Sequence, residues 1–186
     1  MKRTLIAILG LLTFSADVDA QSTAQTVERA LLAAPARARE GATVISWNAD
    51  YTYQTLKEGT SELVCYDRSG DPGRPAFAVA CTARGNLDRI AQNRRFAAEG
   101  GDPAGTRALV AAAAENGSRI MSVFGSPWLT LAGDSQMSSR THITIAMPNA
   151  TEASSGFPES GRGGGAFIMS AGTPEAHLMT PYIVTP

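Results

Sequence analysis

Polar and apolar positions alternate most regularly between residues 42 and 82. Ala42 to Trp47 is an apolar, β-branched run, Asn48-Ala49-Asp50 is a turn, and from Tyr51 to Lys57 the residues Tyr51, Tyr53 and Thr55 alternate with Thr52, Gln54 and Leu56. Period-two alternation rich in aromatic and β-branched residues predicts strands. After the turn signal Glu58-Gly59-Thr60, two more strands are predicted at Glu62 to Asp67 and Phe77 to Thr82, flanking Asp71-Pro72-Gly73-Arg74-Pro75. Together these four segments read as an antiparallel meander. Each of the last two strands carries one of the chain's two cysteines, Cys65 and Cys81, and an antiparallel pairing brings the sulfurs within reach of a disulfide.

The period then changes to that of a helix. Leu87, Ile90 and Ala91 begin a stripe that runs to Ala98 and stops at Gly100-Gly101. Asp102 reads as an N-cap with Pro103 at the first helical position, and the following helix carries Leu109, Val110 and the Ala111 to Ala114 run before Asn116-Gly117 ends it. A shorter helix is predicted from Thr23 to Ala34, with Val27, Ala30, Leu31 and Ala34 on one narrow face that suits an edge position. Further strands are predicted at Arg119 to Phe124, Trp128 to Leu131, His142 to Met147, Ala166 to Ser170 and His177 to Val184. The stretch 148–165 is rich in Gly, Ser and Pro and reads as a mobile loop. Strands, two middle helices, then strands predict an α+β domain with a mainly antiparallel sheet and both helices on one face; a β-sandwich is the alternative.

The first twenty residues follow a different rule. Lys2 and Arg3 precede an apolar run from Leu5 to Phe14, and Val18 and Ala20 stand where a signal peptidase reads small side chains. The expectation is a signal peptide over residues 1–20 with cleavage before Gln21, leaving a single domain, 21–186, that is secreted or periplasmic. The apolar run is about half of the roughly 20 residues a membrane span needs. In an oxidising compartment an isolated cysteine pair reads as a structural disulfide, because Cys-x15-Cys lacks the close spacing of redox or metal motifs.

Charge narrows the partners. Sixteen Lys and Arg against seventeen Asp and Glu give a formal charge of −1, which offers no electrostatic basis for binding nucleic acid or an anionic membrane. No cofactor motif is present: Gly161-Arg162-Gly163-Gly164-Gly165 leads into an apolar strand-like segment instead of the helix a phosphate loop requires. Gln92-Asn93-Arg94-Arg95 reads as the solvated side of a helix.

Candidate chemistry rests on few residues. His142 and His177 are the only histidines, and Glu175 lies two residues before His177, so an extended strand projects both to one side. A carboxylate beside an imidazole suits general-base work or two ligands of a metal site, but spacing supplies no third ligand. Gly133-Asp134-Ser135 after an apolar segment is similar to the nucleophile block of the GDSL-type hydrolases. The resemblance covers three residues, and the Asp-x-x-His base motif of that family is missing at both histidines, which favours a polar turn. The stretch from Leu56-Lys57-Glu58-Gly59 through Leu63-Val64-Cys65-Tyr66-Asp67-Arg68, with Ala176 to Pro181, resembles a group of uncharacterised exported bacterial proteins; that resemblance implies one domain and no particular activity.

Two functions follow as expectations. The first is a non-catalytic binding or structural module for a small molecule, an envelope component or another protein, with Trp47, Tyr51, Tyr53 and Trp128 as contact residues where they are not core. The second is a small hydrolase or metal-dependent enzyme that uses Glu175 and His177 with His142 or Asp67.

Overall fold

The computed structural model describes residues 15–180. The four strands expected first are present as β1 (Thr43–Trp47), β2 (Tyr53–Lys57), β3 (Leu63–Asp67) and β4 (Phe77–Ala83), followed by helices α2 (Leu87–Gly100) and α3 (Pro103–Glu115). Strands β5 (Pro127–Gly133), β6 (Arg140–Ala146), β7 (Phe167–Met169) and β8 (His177–Met179) complete the fold. All eight join one sheet in the order β2-β1-β3-β4-β5-β6-β8-β7. The domain is therefore α+β.

The meander needs one correction. β2 folds back on β1, but β3 pairs with β1 in parallel, with Val44 opposite Cys65, so β2 is left at the sheet edge. This parallel contact is the exception among the strand pairs described; every other one is antiparallel. Cys65 and Cys81 stand directly opposite each other on β3 and β4 and form a disulfide.

Alternation along the central strands builds two cores. Val44, Cys65, Val79, Cys81 and Leu129 project to one face, where they meet Ala30, Ala33 and Ala34. Those alanines lie at the end of α1 (Ser15–Ala30), in the 3-10 turn Leu31–Ala33 that follows it and, for Ala34, at the C-cap of that turn. The first helix thus covers the middle of the sheet, not an edge, because its small side chains let it approach β3 and β4 closely. It also runs without a break through Ala20 and Gln21, the expected cleavage point; residues 1–14 of the expected signal peptide lie outside the described residues.

Ile45, Val64, Tyr66 and Ala80 project to the opposite face and pack with Leu87 and Ile90 of α2, Trp47 and Trp128 closing the cluster. Helix α3 packs on α2. The hairpin between them depends on two glycines: a Cβ at Gly105 would meet the Gly100 carbonyl oxygen at 2.2 Å. Asp102 caps α3 as its sequence predicts, accepting from the Gly105 amide at 2.7 Å.

Arg119 to Phe124 is not a strand. Its main chain is held by side chains of the α2 region: Ile120 N–H donates to Gln92 at 3.0 Å, Arg89 donates to the Ile120 carbonyl, and Val123 N–H donates to Asn86 Oδ1 at 2.8 Å. Ladder-like bonding without a partner strand leaves Val123 and Phe124 exposed. The stretch 148–165, read as a mobile loop, contains the short helix α4 (Glu152–Ser155), closed by a capping box at Thr151 and Ser154. Ala150 and Phe157 bring its ends onto Ile168, Ala176 and Leu178 in a third, smaller core. The final extended segment is seen as β8; its continuation past residue 180 lies outside the described residues.

Candidate functional site

A cavity of about 460 Å³ opens between the second sheet face and the α2–α3 hairpin. Its helical wall follows directly from the 3.6-residue period: Ile90, Asn93, Arg94, Ala97 and Ala98 fall on one face of α2, and Thr106 and Val110 on one face of α3. Alanines on α2 keep that wall recessed. The sheet contributes Tyr66 and Trp128, and the β3–β4 turn contributes Arg68, Asp71, Pro72 and Arg74.

That turn is tightly built. Arg68 N–H donates to the Ala78 carbonyl at 2.7 Å, Asp71 N–H to Arg68 at 2.9 Å and Arg74 N–H to Asp71 at 3.1 Å, while Gly73 supplies the left-handed residue at φ 70°. The Asp71 carboxylate then bridges two guanidinium groups, Arg68 Nε at 3.1 Å and Arg94 Nη1 at 2.7 Å. Arg94 also stacks over the Trp47 ring at 5.4 Å. Read from sequence as a solvated helix side, Arg94 is instead drawn onto the sheet by a turn distant in the chain.

Arg74 has no ion-pair or side-chain hydrogen-bond partner among the described residues. Loss of hydration, and then the neighbouring Arg68 charge, push its pKa below the usual arginine value. Tyr66 is 1% exposed and its phenol takes no hydrogen bond from the described residues, although the residue lines the cavity. Burial raises its pKa. Asn93 accepts from Arg119 Nη2 at 2.6 Å through Oδ1. Among these lining groups donors outnumber acceptors. Tyr51, also in the lining, holds a left-handed φ of 69° in the Asn48 to Thr52 turn, and Arg95 stacks over its ring at 5.6 Å.

The residues singled out from sequence divide clearly. Trp128 and Tyr51 line the cavity. Trp47 lies behind it, edge-on to Tyr66 at 6.0 Å and to Tyr53 at 5.5 Å, and Tyr53 is exposed on the edge strand outside the lining. Glu175 and His177 do not form a pair: the Glu175 carboxylate lies 2.7 Å from Arg119 Nε and 2.5 Å from Arg89 Nη2, while His177 Nδ1 contacts the Glu175 main-chain oxygen at 2.8 Å. Burial opposes ionisation of Glu175, but the hydrogen bonds and charges of Arg119 and Arg89 outweigh it and hold the carboxyl below its ordinary pKa.

His177 sits opposite Ala146, and His142 lies four residues earlier on the same β6 face, exposed and opposite Thr130. At about 3.3 Å per residue the two rings start from positions on the order of 13 Å apart. Asp67 faces the other side of the sheet, paired with Arg29 at 3.0 Å. Ser135 bonds only within its turn, to Ser138. Among the described residues no three His, Cys, Asp or Glu side chains converge. Sequence reasoning missed the arginines, whose signal was present in the Arg68, Asp71, Arg74 spacing across a proline-glycine turn.

Comparison of the chain with family models, curated proteins and solved structures gives no match.

Proposed function

We propose that this chain is an exported, non-catalytic binding domain whose cavity takes a small anionic molecule. One observation carries the reading: three guanidinium groups against one carboxylate line a cavity whose remaining surface is mainly apolar. Pockets of a few hundred Å³ with apolar walls and a few convergent polar groups are the usual form of small-molecule sites. The excess of cationic donors selects the sign of the ligand, because arginine forks match carboxylate and phosphoryl oxygens. The Cys65–Cys81 disulfide supports an oxidising compartment, and with the N-terminal charge and apolar pattern it favours secretion or the periplasm. No helix among the described residues is long and apolar enough to cross a membrane.

The enzyme alternative is weaker on geometry. Glu175 is committed to two arginines, and neither histidine lines the cavity. Calorimetric titration of the disulfide-bonded protein with benzoate and with benzyl alcohol tests the binding reading. Saturable binding of benzoate alone is the expected result; equal or absent binding of both sinks it.

A further inference from the structure

Resting on that reading, we propose that the ligand carries a dianionic head group, as a phosphate monoester does, attached to an apolar or aromatic body. The charge count comes first. Arg68, Arg74 and Arg94 bring three positive charges to the lining and Asp71 removes one, so two remain for a ligand to match. Their placement comes second. Arg68 and Arg94 hold the same Asp71 carboxylate, and Arg74 follows it by three residues in the same turn, close enough to Arg68 to feel its charge. The unmatched charge is therefore gathered at one end of the cavity, which suits one doubly charged group better than two separated carboxylates.

Donor supply comes third. Arg68 commits only its Nε to Asp71, and Arg74 commits no side-chain donor among the described residues. Each guanidinium has five N–H groups, so a tetrahedral phosphoryl group with three acceptor oxygens finds donors that the protein itself leaves unused. Tyr66, Asn93 and Thr106 are neutral polar residues of the same lining. Away from the turn, Ile90, Ala97, Ala98, Val110 and Trp128 supply the apolar part of the walls, beside the polar Asn93 and Thr106. That surface offers contact to an apolar body and a flat face to an aromatic one.

Phenyl phosphate and phenyl sulfate separate charge from shape. Both are tetrahedral monoesters of the same alcohol, but at pH 8 the phosphate has lost its second proton, near pH 6, and the sulfate carries a single charge. Titration of the disulfide-bonded protein should show phenyl phosphate binding at least about tenfold more tightly than phenyl sulfate. In Arg74→Gln, at a side chain with no ion-pair or hydrogen-bond partner among the described residues, circular dichroism and melting should be unchanged and that preference should fall to about twofold or less. Equal affinity of the two esters in the parent protein overturns the dianion inference while leaving an anion site standing. A preference that persists unchanged in Arg74→Gln also overturns it, since the selectivity then arises elsewhere. If neither ester nor benzoate binds, the broader anion-binding reading fails as well.

Discussion

Arg119 and Glu175, 56 residues apart, meet through Nε and Oε1 at 2.7 Å, and the same carboxylate is held from its other oxygen by Arg89 at 2.5 Å. Both arginines are nearly buried. The triad ties the segment before β5 and the loop before β8 to helix α2, and so fixes the wall that carries Asn93. Glu175→Gln removes the anion and leaves two guanidinium groups unneutralised. A loss of about 2 kcal/mol is expected in urea unfolding, on the low side for a broken buried pair because about a third of the Glu175 side chain is exposed.

The same carboxylate sets a pH dependence. Its pKa is lowered in the folded protein, so the stabilisation is full above the ordinary value of 4.5 and is lost as the pH falls through the lower folded value. Melting temperatures measured between pH 6 and pH 3 should fall more steeply in the parent than in Glu175→Gln. Parallel curves would show that the triad contributes no proton-linked stability.

The disulfide closes the β3–β4 loop with a sequence separation of 16. Loops of that size contribute about 3 kcal/mol in the chain-entropy model. The double variant Cys65→Ala, Cys81→Ala should melt about 10 °C below the oxidised parent, on the usual conversion for a domain of this size. Reduction of the parent should reproduce the drop.

Asn86 is fully buried and fully satisfied: Nδ2 donates to Thr82 and Ser126 hydroxyls at 2.8 Å each, and Oδ1 accepts from Val123 N–H at 2.8 Å. Asn86→Asp keeps the acceptor but deletes two donations and buries a charge. Destabilisation of about 3 kcal/mol is expected. In Asn86→Leu, which removes the Val123 acceptor as well, hydrogen exchange should quicken at Val123 before it does in β4, because the segment from Arg119 to Phe124 has no strand partner among the described residues to retain it.

This segment also marks where local pattern stops being informative. Ile120 and Val123 have strand propensity, and the extended chain follows, but whether the main chain bonds to a strand or to Gln92, Arg89 and Asn86 depends on how α2 is placed. The parallel pairing of β1 with β3 was hidden for a similar reason. Turn residues at 48–50 specify the β1–β2 hairpin locally, whereas nothing in the turn 58–60 specifies which neighbour β3 takes. What periodicity did reveal was the regular elements themselves, β1 to β8, α2 and α3, and the opposed cysteines. For the site, Trp128 and Tyr51 were legible as aromatics in a chain with few of them. The spacing of Arg68, Asp71 and Arg74 across the turn was legible too, but its meeting with Arg94 was not, because Arg94 on a helix carries no mark of the Asp71 that will meet it.

The two tryptophans offer the closest test of where a ligand sits. Trp128 lines the cavity from β5, while Trp47 lies behind Tyr66 with its Nε1 buried and without a hydrogen-bond partner among the described residues. A bound aromatic anion should contact the first ring and leave the second in its packed surroundings of Tyr53, Tyr66 and Arg94. Titration with phenyl phosphate should therefore change the intrinsic fluorescence of the parent and of Trp47→Phe. The change should be lost in Trp128→Phe, with affinity reduced about threefold to tenfold by removal of part of the apolar wall. The reverse pattern, a signal that follows Trp47, would move the binding site to the β1–β2 edge, where Tyr53 stands exposed at 41%.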